Sequence, residues 1–215
     1  MNNEIIIEVN EVFKKYDDAT VLDNVSLEIE KGKIYGLVGR NGSGKTVLMK
    51  CICGLIKPTS GEVKVAGKTV GKDVDIPEDI GVIIETPGFI PNYSGFKNLK
   101  LLASVRNKIS NEEIRKSMKI VGLEPKSRKH VGKYSLGMRQ KLGIAQAIME
   151  KPKILILDEP MNGLDNESVA VVRKILKEQA ENGATIILAS HNREDIDVLC
   201  DKVYTMDHGV IECER

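Results

Sequence analysis

The chain has 215 residues, of which 41% are hydrophobic and 29% are charged, and its formal net charge is +1. This composition indicates a globular protein, and we interpret residues 1–215 as a single domain. The near-neutral charge gives no support for a nucleic-acid partner or for direct binding to an anionic membrane. No apolar run approaches the roughly 18 residues that a spanning helix needs. The N-terminal residues have an acid before a short apolar run, which argues against a secretory signal.

The four cysteines are too few and too irregularly spaced for a disulfide framework. We expect them to be small buried hydrophobic side chains in a reducing cytosol. They are Cys51, Cys53, Cys200 and Cys213.

The first third of the chain predicts short strands separated by turns. These strands are Ile5–Val9, Val25–Ile29 and Glu62–Val65, with a turn at Gly67. Longer periodic stretches follow from residue 94 to residue 146. There, Ser110 to Glu113 has the pattern of a capping box and predicts a helix that ends near Val121.

After Lys151, apolar strands alternate with helical patterns, which is typical of a parallel sheet covered on both faces. The predicted elements are strands at Ile154–Leu157, Thr185–Ala189 and Lys202–Met206, a helix at Asn166–Ala180 and a helix after Asn192. The sequence therefore predicts an α/β fold. Residues 1–87 and 151–215 would form a core with an N-terminal antiparallel β subdomain, and residues 88–150 a helical subdomain.

The strongest local signal lies between a predicted strand, Ile34–Val38, and a predicted helix, Val47–Leu55. The pattern G-x-x-x-x-G-K-T is that of a P-loop, whose backbone N–H groups converge on phosphate oxygens. Lys45 would contact the β- and γ-phosphates, and the Thr46 hydroxyl would bind Mg²⁺. The predicted nucleotide-binding residues are Gly39, Arg40, Asn41, Gly42, Ser43, Gly44, Lys45, Thr46 and Val47.

A second apolar strand ends in two acids, Asp158 and Glu159. Asp158 would hold Mg²⁺ directly or through water, and Glu159 would act as the general base for the attacking water. An acidic turn after a strand is common by itself. Together with the P-loop it indicates a P-loop NTPase with a RecA-like parallel core.

The segment that begins at Tyr134 resembles the signature of ATP-binding cassette (ABC) proteins, which is written LSGGQ. Here it reads Tyr-Ser-Leu-Gly-Met, so Ser135 and Gly137 match while the other three residues depart. Ser135 would bind a γ-phosphate, and the N–H groups near Gly137 would open a helix over Arg139–Met149.

Other family elements follow in the expected order. Tyr16 resembles the aromatic residue that stacks on adenine, although Phe13 is an alternative and Tyr16 could be a structural tyrosine at a strand end. Residues 162–165 (Asn-Gly-Leu-Asp) resemble the D-loop, which in this family contacts the opposite subunit. His191 matches the switch histidine that contacts the γ-phosphate. The predicted catalytic residues are Glu159, His191 and Lys45.

The resemblance extends from Tyr16 to His191 and implies a head-to-tail dimer that binds two ATP molecules. Each ATP would lie between the P-loop of one subunit and the signature helix of the other, in a homodimer or in a heterodimer with a similar ATPase. The resemblance also implies separate transmembrane permease subunits. They would hold this cytoplasmic chain at the inner face of the cell membrane.

The strand that begins at Gly81 runs directly into Glu85, a position where the family carries the Q-loop glutamine. In the family this residue contacts Mg²⁺ and hinges the helical insertion. A carboxylate also binds Mg²⁺, although neutral variation at this position is the alternative. The predicted metal ligands are Thr46, Glu85 and Asp158. Phe89 would either contact a membrane subunit or pack against the helical insertion.

The Glu85 segment and the altered signature are similar to one subgroup, the ATPase subunits of bacterial transporters that confer lantibiotic immunity or bacitracin resistance. We therefore predict an ATPase, with ATP and Mg²⁺ as cofactors, that powers export of a peptide antibiotic or a similar compound. The alternatives are a non-transport ABC ATPase with a soluble partner, for example in cluster assembly, and a nucleotide-dependent regulator. The presence of Glu159 and His191 argues against a regulator with little turnover.

Overall fold

The computed structural model describes residues 4–214. In chain order the strands are β1 (Ile5–Tyr16), β2 (Ala19–Glu30), β3 (Ile34–Val38), β4 (Ser60–Val65), β5 (Lys68–Thr69), β6 (Ile80–Ile83), β7 (Ile154–Asp158), β8 (Thr185–Ala189), β9 (Lys202–Asp207) and β10 (Val210–Cys213). The helices are α1 (Lys45–Ile52), α2 (Gly95–Arg106), α3 (Asn111–Ile120), α4 (Leu136–Ile148), α5 (Asn166–Glu181) and α6 (Arg193–Leu199). A short 3₁₀ helix, Val131–Lys133, precedes α4.

Two sheets form the frame, and they confirm the predicted α/β architecture. The first is antiparallel, in the order β2-β1-β4-β5. The second has the order β10-β9-β3-β8-β7-β6 and is parallel except for β10, which pairs antiparallel with β9. Nearly every residue of β3, β7 and β8 is buried, because layers cover both faces of this sheet.

The parallel sheet separates two hydrophobic cores. Successive strand side chains point to opposite faces, so Ile156 and Ile187 join the core beneath the antiparallel sheet and α1. Leu155 and Leu188 join the other core, which includes residues of the helices from α2 to α6. One sheet therefore anchors both the antiparallel layer and the helical layer.

Helix boundaries depend on capping. The predicted capping box is confirmed, because the Ser110 hydroxyl accepts a hydrogen bond from the Glu113 N–H and the Glu113 carboxylate accepts one from the Ser110 N–H. The helix predicted to start at Val47 begins at Lys45. It ends at Ile52 because Gly54 adopts φ 75° in a Schellman motif, in which the Leu55 N–H donates to the Lys50 carbonyl.

Three further expectations are corrected or decided. The strand predicted to end at Val9 continues to Tyr16, because β1 keeps its pairing with β2 through several register shifts and into a polar segment. Cys53 is buried as expected, and burial raises the pKa of its thiol to about 12, but Cys213 is exposed. Phe89 is half-buried and packs against the core of the helical layer, the second of its two predicted placements.

Gly81 allows close contact between β6 and the end of α4. A Cβ at this position would lie 2.1 Å from the Ala147 carbonyl oxygen and 2.8 Å from the Leu155 Cδ2. We expect Gly81→Ala to lower the free energy of unfolding by about 1–3 kcal/mol, because backbone must move to admit the methyl group. Urea denaturation measures this change. Gly88→Ala is the control, since a Cβ there meets nothing within 4 Å. An equal loss in both variants would contradict the packing explanation.

Candidate nucleotide-binding site

A cleft of about 490 Å³ lies where the P-loop meets the end of β7. The P-loop follows β3, and Asp158 ends β7, with β8 between the two strands in the sheet. Because these strands are parallel, their carboxyl ends share one edge of the sheet. The cleft is lined by Val21, Asn41, Gly42, Ser43, Gly44, Lys45, Thr46, Val47, Glu85, Thr86, Pro87, Leu136, Arg139, Gln140, Asp158, Glu159 and Asn162.

The P-loop is closed around the Lys45 side chain. Its ammonium donates to the carbonyl oxygens of Gly39, at 2.8 Å, and Arg40, at 2.9 Å. Burial lowers the pKa of Lys45, while the negative charges of Asp158 and Glu159 raise it. Gly44 has φ 109° and immediately precedes α1, so the loop passes directly into a helix N-terminus. The loop thus presents a cation and a helix N-terminus to an anionic ligand.

Thr46 and Asp158 join the P-loop helix to the end of β7. The Thr46 hydroxyl donates a 2.6 Å hydrogen bond to the Asp158 Oδ2 atom. Hydroxyl and carboxylate oxygens are hard ligands of the kind that Mg²⁺ prefers. No group of three or more His, Cys, Asp or Glu residues within residues 4–214 could hold a metal ion. The Thr46 hydroxyl and the Asp158 carboxylate thus supply two adjacent oxygens that fit Mg²⁺.

Glu159, the first residue after β7, is held in a constrained position. Its backbone is left-handed, with φ 49°, and its N–H donates to the Ala189 carbonyl at 2.9 Å. Its side-chain Oε2 lies 2.8 Å from the His191 Nδ1. These contacts bring together Glu159, the predicted general base, and His191, the predicted switch histidine.

Gln140 is a site residue that the sequence analysis missed. It is buried in α4, and its amide nitrogen donates to the carbonyl oxygens of Glu159, at 3.2 Å, and Pro160, at 2.9 Å. Its place on an otherwise apolar helix face was at most a weak signal, because the sequence does not show which backbone atoms it binds. Arg139, also missed, lines the cleft, and its buried Nε has no hydrogen-bond partner in the part of the chain that the structure describes.

Five predicted nucleotide-binding residues are not among those that line the cleft of their own chain: Tyr16, Gly39, Arg40, Ser135 and Gly137. Tyr16 is 44% exposed at the end of β1, with the Lys14 ammonium 4.8 Å from its ring centre, while Val21 lines the cleft. Ser135 is exposed, and its hydroxyl caps α4 by accepting a hydrogen bond from the Met138 N–H. Gly137 lies close to the backbone of the D-loop, where a Cβ would be 3.0 Å from the Gly163 carbonyl oxygen.

The departures in the signature have structural roles in this chain. Tyr134 is buried in the core of the helical layer, and burial raises the pKa of its hydroxyl. Leu136 is exposed but packs against Gly163 and also lines the cleft. These two residues of the signature segment therefore pack against the helical layer of their own chain and against the D-loop.

Glu85 lines the cleft and, like Glu159, has a left-handed backbone, with φ 59°. Its Oε1 lies 2.6 Å from the Lys50 ammonium, and its side chain is 64% exposed. Lys50 was not identified from the sequence, because a lysine in a helix is most often a solvated side chain.

The turn that carries His191 is fixed by a buried carboxylate. Asp195 Oδ1 accepts hydrogen bonds from the Arg173 Nε, at 2.8 Å, and Nη2, at 2.6 Å. Asp195 Oδ2 accepts from the buried Ser190 hydroxyl at 3.3 Å, and the Ser190 oxygen in turn accepts from the Asn192 N–H at 3.1 Å. The residues on either side of His191 are thus tied to α5 and α6.

Comparison with known proteins identifies the family. Residues 22–162 match the family model described as ABC transporter. The chain belongs to the ABC transporter family. It is 48% identical over 207 residues to YybJ, an ABC transporter ATP-binding protein of Bacillus subtilis (strain 168), covering 96% of this chain and 95% of the relative.

Two further relatives support the same assignment, and one solved structure shares the fold. The chain is 43% identical to the bacitracin transport ATP-binding protein BcrA of Enterococcus faecalis, over 96% of this chain and 68% of BcrA. It is 36% identical to the lantibiotic transport ATP-binding protein SrtF of Streptococcus pyogenes, over 98% of this chain and 90% of SrtF. The dimeric ATP-binding cassette MJ0796, bound to ADP and Pi, has a TM-score of 0.87 at 23% identity, covering 98% of this chain and 99% of that chain, which shows the shared fold.

These findings establish the general function. The chain is an ATP-binding subunit of an ABC transporter, and it hydrolyses ATP to power transport. Among residues 4–214, no helix combines the length and the apolar character that crossing a bilayer requires.

We expect Asp195→Asn to lower the free energy of unfolding by about 1.5–3 kcal/mol, since it weakens hydrogen bonds to a charged group. ATPase assays should show a lower kcat with little change in KM, because the His191 turn is displaced while the P-loop is intact. Glu194→Gln is the control, because Glu194 binds the same arginine but is exposed, and exposed ion pairs contribute about 0.2–1 kcal/mol. Equal effects of the two substitutions would contradict a positioning role for Asp195.

Proposed function

We propose that this ABC ATPase subunit binds MgATP in the cleft and uses Glu159 as the general base for hydrolysis. The observation that carries the proposal is the adjacency of two pairs at one sheet edge, Thr46 with Asp158 and Glu159 with His191. The first pair supplies oxygens for a metal ion, and the second supplies a carboxylate for a proton.

Each P-loop residue has a proposed task toward the nucleotide. Lys45 would exchange its hydrogen bonds to loop carbonyls for contacts with the β- and γ-phosphates, and the backbone N–H groups of residues 39–47 would bind phosphate oxygens. Mg²⁺ would be held by Thr46, Asp158 and Glu85, together with phosphate and water oxygens. When bound, it neutralises phosphate charge.

Glu159 and His191 would act on the attacking water. In the tautomer that carries a proton on Nδ1, His191 donates to Glu159 Oε2 and leaves the other carboxylate oxygen free to accept a proton from water. Gln140 keeps the Glu159 backbone in place by binding its carbonyl oxygen. His191 would also contact the γ-phosphate from the end of β8.

We propose that the complete site needs a second subunit arranged head to tail. Ser135 supports this, because it is exposed at the start of α4 and does not line the cleft of its own chain. The signature residues Ser135 and Gly137 would then contact the γ-phosphate bound by the partner, and the D-loop would touch the opposite subunit. Tyr16 would stack on adenine from the end of β1.

The proposed transport system consists of this ATPase and separate transmembrane permease subunits. Residues 88–150 would form the helical subdomain that passes movement to the permease at the cytoplasmic face of the membrane. The similarity to BcrA and SrtF supports a peptide antibiotic of the bacitracin or lantibiotic type as the exported compound.

Glu159→Gln tests the general base. We expect it to lower kcat by about 10²–10⁴-fold, the usual contribution of general-base catalysis, while ATP binding is retained. Size-exclusion chromatography with MgATP should show a stable dimer, because the bound ATP is not consumed. Glu181→Gln, at the exposed end of α5, is the control and should leave turnover unchanged. Turnover near the wild-type rate in Glu159→Gln would reject Glu159 as the base.

The same variant tests the proposed cargo in the host bacterium. A strain that lacks the gene should be more sensitive to bacitracin or to a lantibiotic, and the wild-type gene should restore resistance while Glu159→Gln should not. Affinity purification of the chain from detergent-solubilised membranes should recover a permease subunit. Unchanged sensitivity to both classes of compound would reject the cargo proposal but not the ATPase assignment.

A further inference from the structure

Lys50 and Glu85 form an ion pair at the margin of the nucleotide cleft. The Lys50 ammonium lies 2.6 Å from the Glu85 Oε1, and Glu85 lines the cleft together with Thr46 and Asp158. Lys50 is four residues after Thr46, so it lies one turn further along the same helix, α1. The pair therefore connects the helix that follows the P-loop to the segment that leads from β6 into the helical layer.

We propose that Lys50 is a positioning residue that competes with Mg²⁺ for the Glu85 carboxylate and so sets the Mg²⁺ concentration that nucleotide binding requires. The inference rests on the proposed MgATP function of the cleft. Its basis is that a carboxylate attracts either cation, and a fixed ammonium next to a metal ligand repels a second positive charge.

The pair also accounts for a glutamate at this position. The carboxylates of Glu85, Asp158 and Glu159 all line the cleft, and their negative charges repel one another when no metal ion is bound. The Lys50 ammonium offsets the charge of Glu85 in that state. A glutamine would need no such partner, but it would also offer Mg²⁺ only an uncharged oxygen.

Because the pair is accessible to solvent, Mg²⁺ can replace the Lys50 ammonium at the Glu85 carboxylate at little cost in free energy. The Glu85 side chain is 64% exposed and that of Lys50 is 23% exposed. An exposed ion pair contributes at most about 1 kcal/mol, which corresponds to at most about a fivefold change in an equilibrium constant. Lys50 should therefore shift the Mg²⁺ dependence by a small, measurable factor without preventing metal binding.

The test measures binding of a fluorescent, non-hydrolysable ATP analogue at a series of free Mg²⁺ concentrations, so the readout does not depend on turnover. We expect Lys50→Met to lower the half-saturating Mg²⁺ concentration by about two- to fivefold, in keeping with the strength of an exposed pair. Glu85→Gln should raise it. Adding Lys50→Met to Glu85→Gln should produce no further shift, because the carboxylate for which the lysine competes is gone.

Two control variants separate the pair from general effects of charge. Lys50→Arg keeps the positive charge and should bind the analogue with the wild-type Mg²⁺ dependence. Lys64→Met removes a lysine from another exposed ion pair, with Glu62 on β4, and should have no effect. Because both residues of the Lys50–Glu85 pair are at the surface, thermal unfolding should be close to wild type in every variant.

Two outcomes would overturn the proposal. If Lys50→Met shifts the Mg²⁺ dependence by the same factor with and without Glu85, the lysine acts on the phosphates and not through the carboxylate. If it shifts nothing in either background, the pair has no role in metal binding. Failure of the wild-type chain to bind the analogue at any Mg²⁺ concentration would instead reject the proposed MgATP function itself.

Discussion

A hydrogen bond between the Thr46 hydroxyl and the Asp158 carboxylate joins the helix that follows the P-loop to the end of β7. The two residues are 112 positions apart in the chain, and only the parallel sheet brings them together. Since parallel strands end at the same edge, the loops after β3, β7 and β8 converge there. The P-loop, the Thr46–Asp158 pair, the proposed base Glu159 and the proposed switch residue His191 all depend on this convergence.

Glu159, the proposed base, is connected to the helical layer as well as to the sheet. The Glu159 N–H is bound by Ala189 at the end of β8, and its carbonyl oxygen is bound by Gln140 of α4. The strained backbone at Glu159 is thus maintained by two elements outside its own strand. A movement of α4 relative to the sheet would therefore alter the position of the Glu159 carboxylate, which gives a physical route between the helical layer and the proposed ATPase site.

Residues within contiguous motifs could be predicted from the sequence, because their chemistry follows from local spacing. Lys45, Asp158 and the capping box at Ser110 are of this kind, and the alternating strands and helices predicted the parallel sheet. Gln140 and Lys50 could not be predicted, because their roles come from partners 19 and 35 residues away that only the fold selects. Ser135 and Tyr16 were predicted from the family resemblance, but a single chain does not complete their sites. The proposed ligand of Ser135 is the γ-phosphate bound by a second subunit, and that of Tyr16 is the adenine of a bound nucleotide.

The most direct test of this account compares thermal unfolding in ATP with Mg²⁺ and in ATP with EDTA. Ligands that bind the folded state raise Tm, so the wild-type chain should be stabilised more with Mg²⁺ than with EDTA. In Asp158→Asn this difference should disappear, because the amide replaces the carboxylate that the Thr46 hydroxyl contacts at the proposed metal position. A variant that keeps the full difference would contradict the central claim that Thr46 and Asp158 form the metal site of a nucleotide cleft.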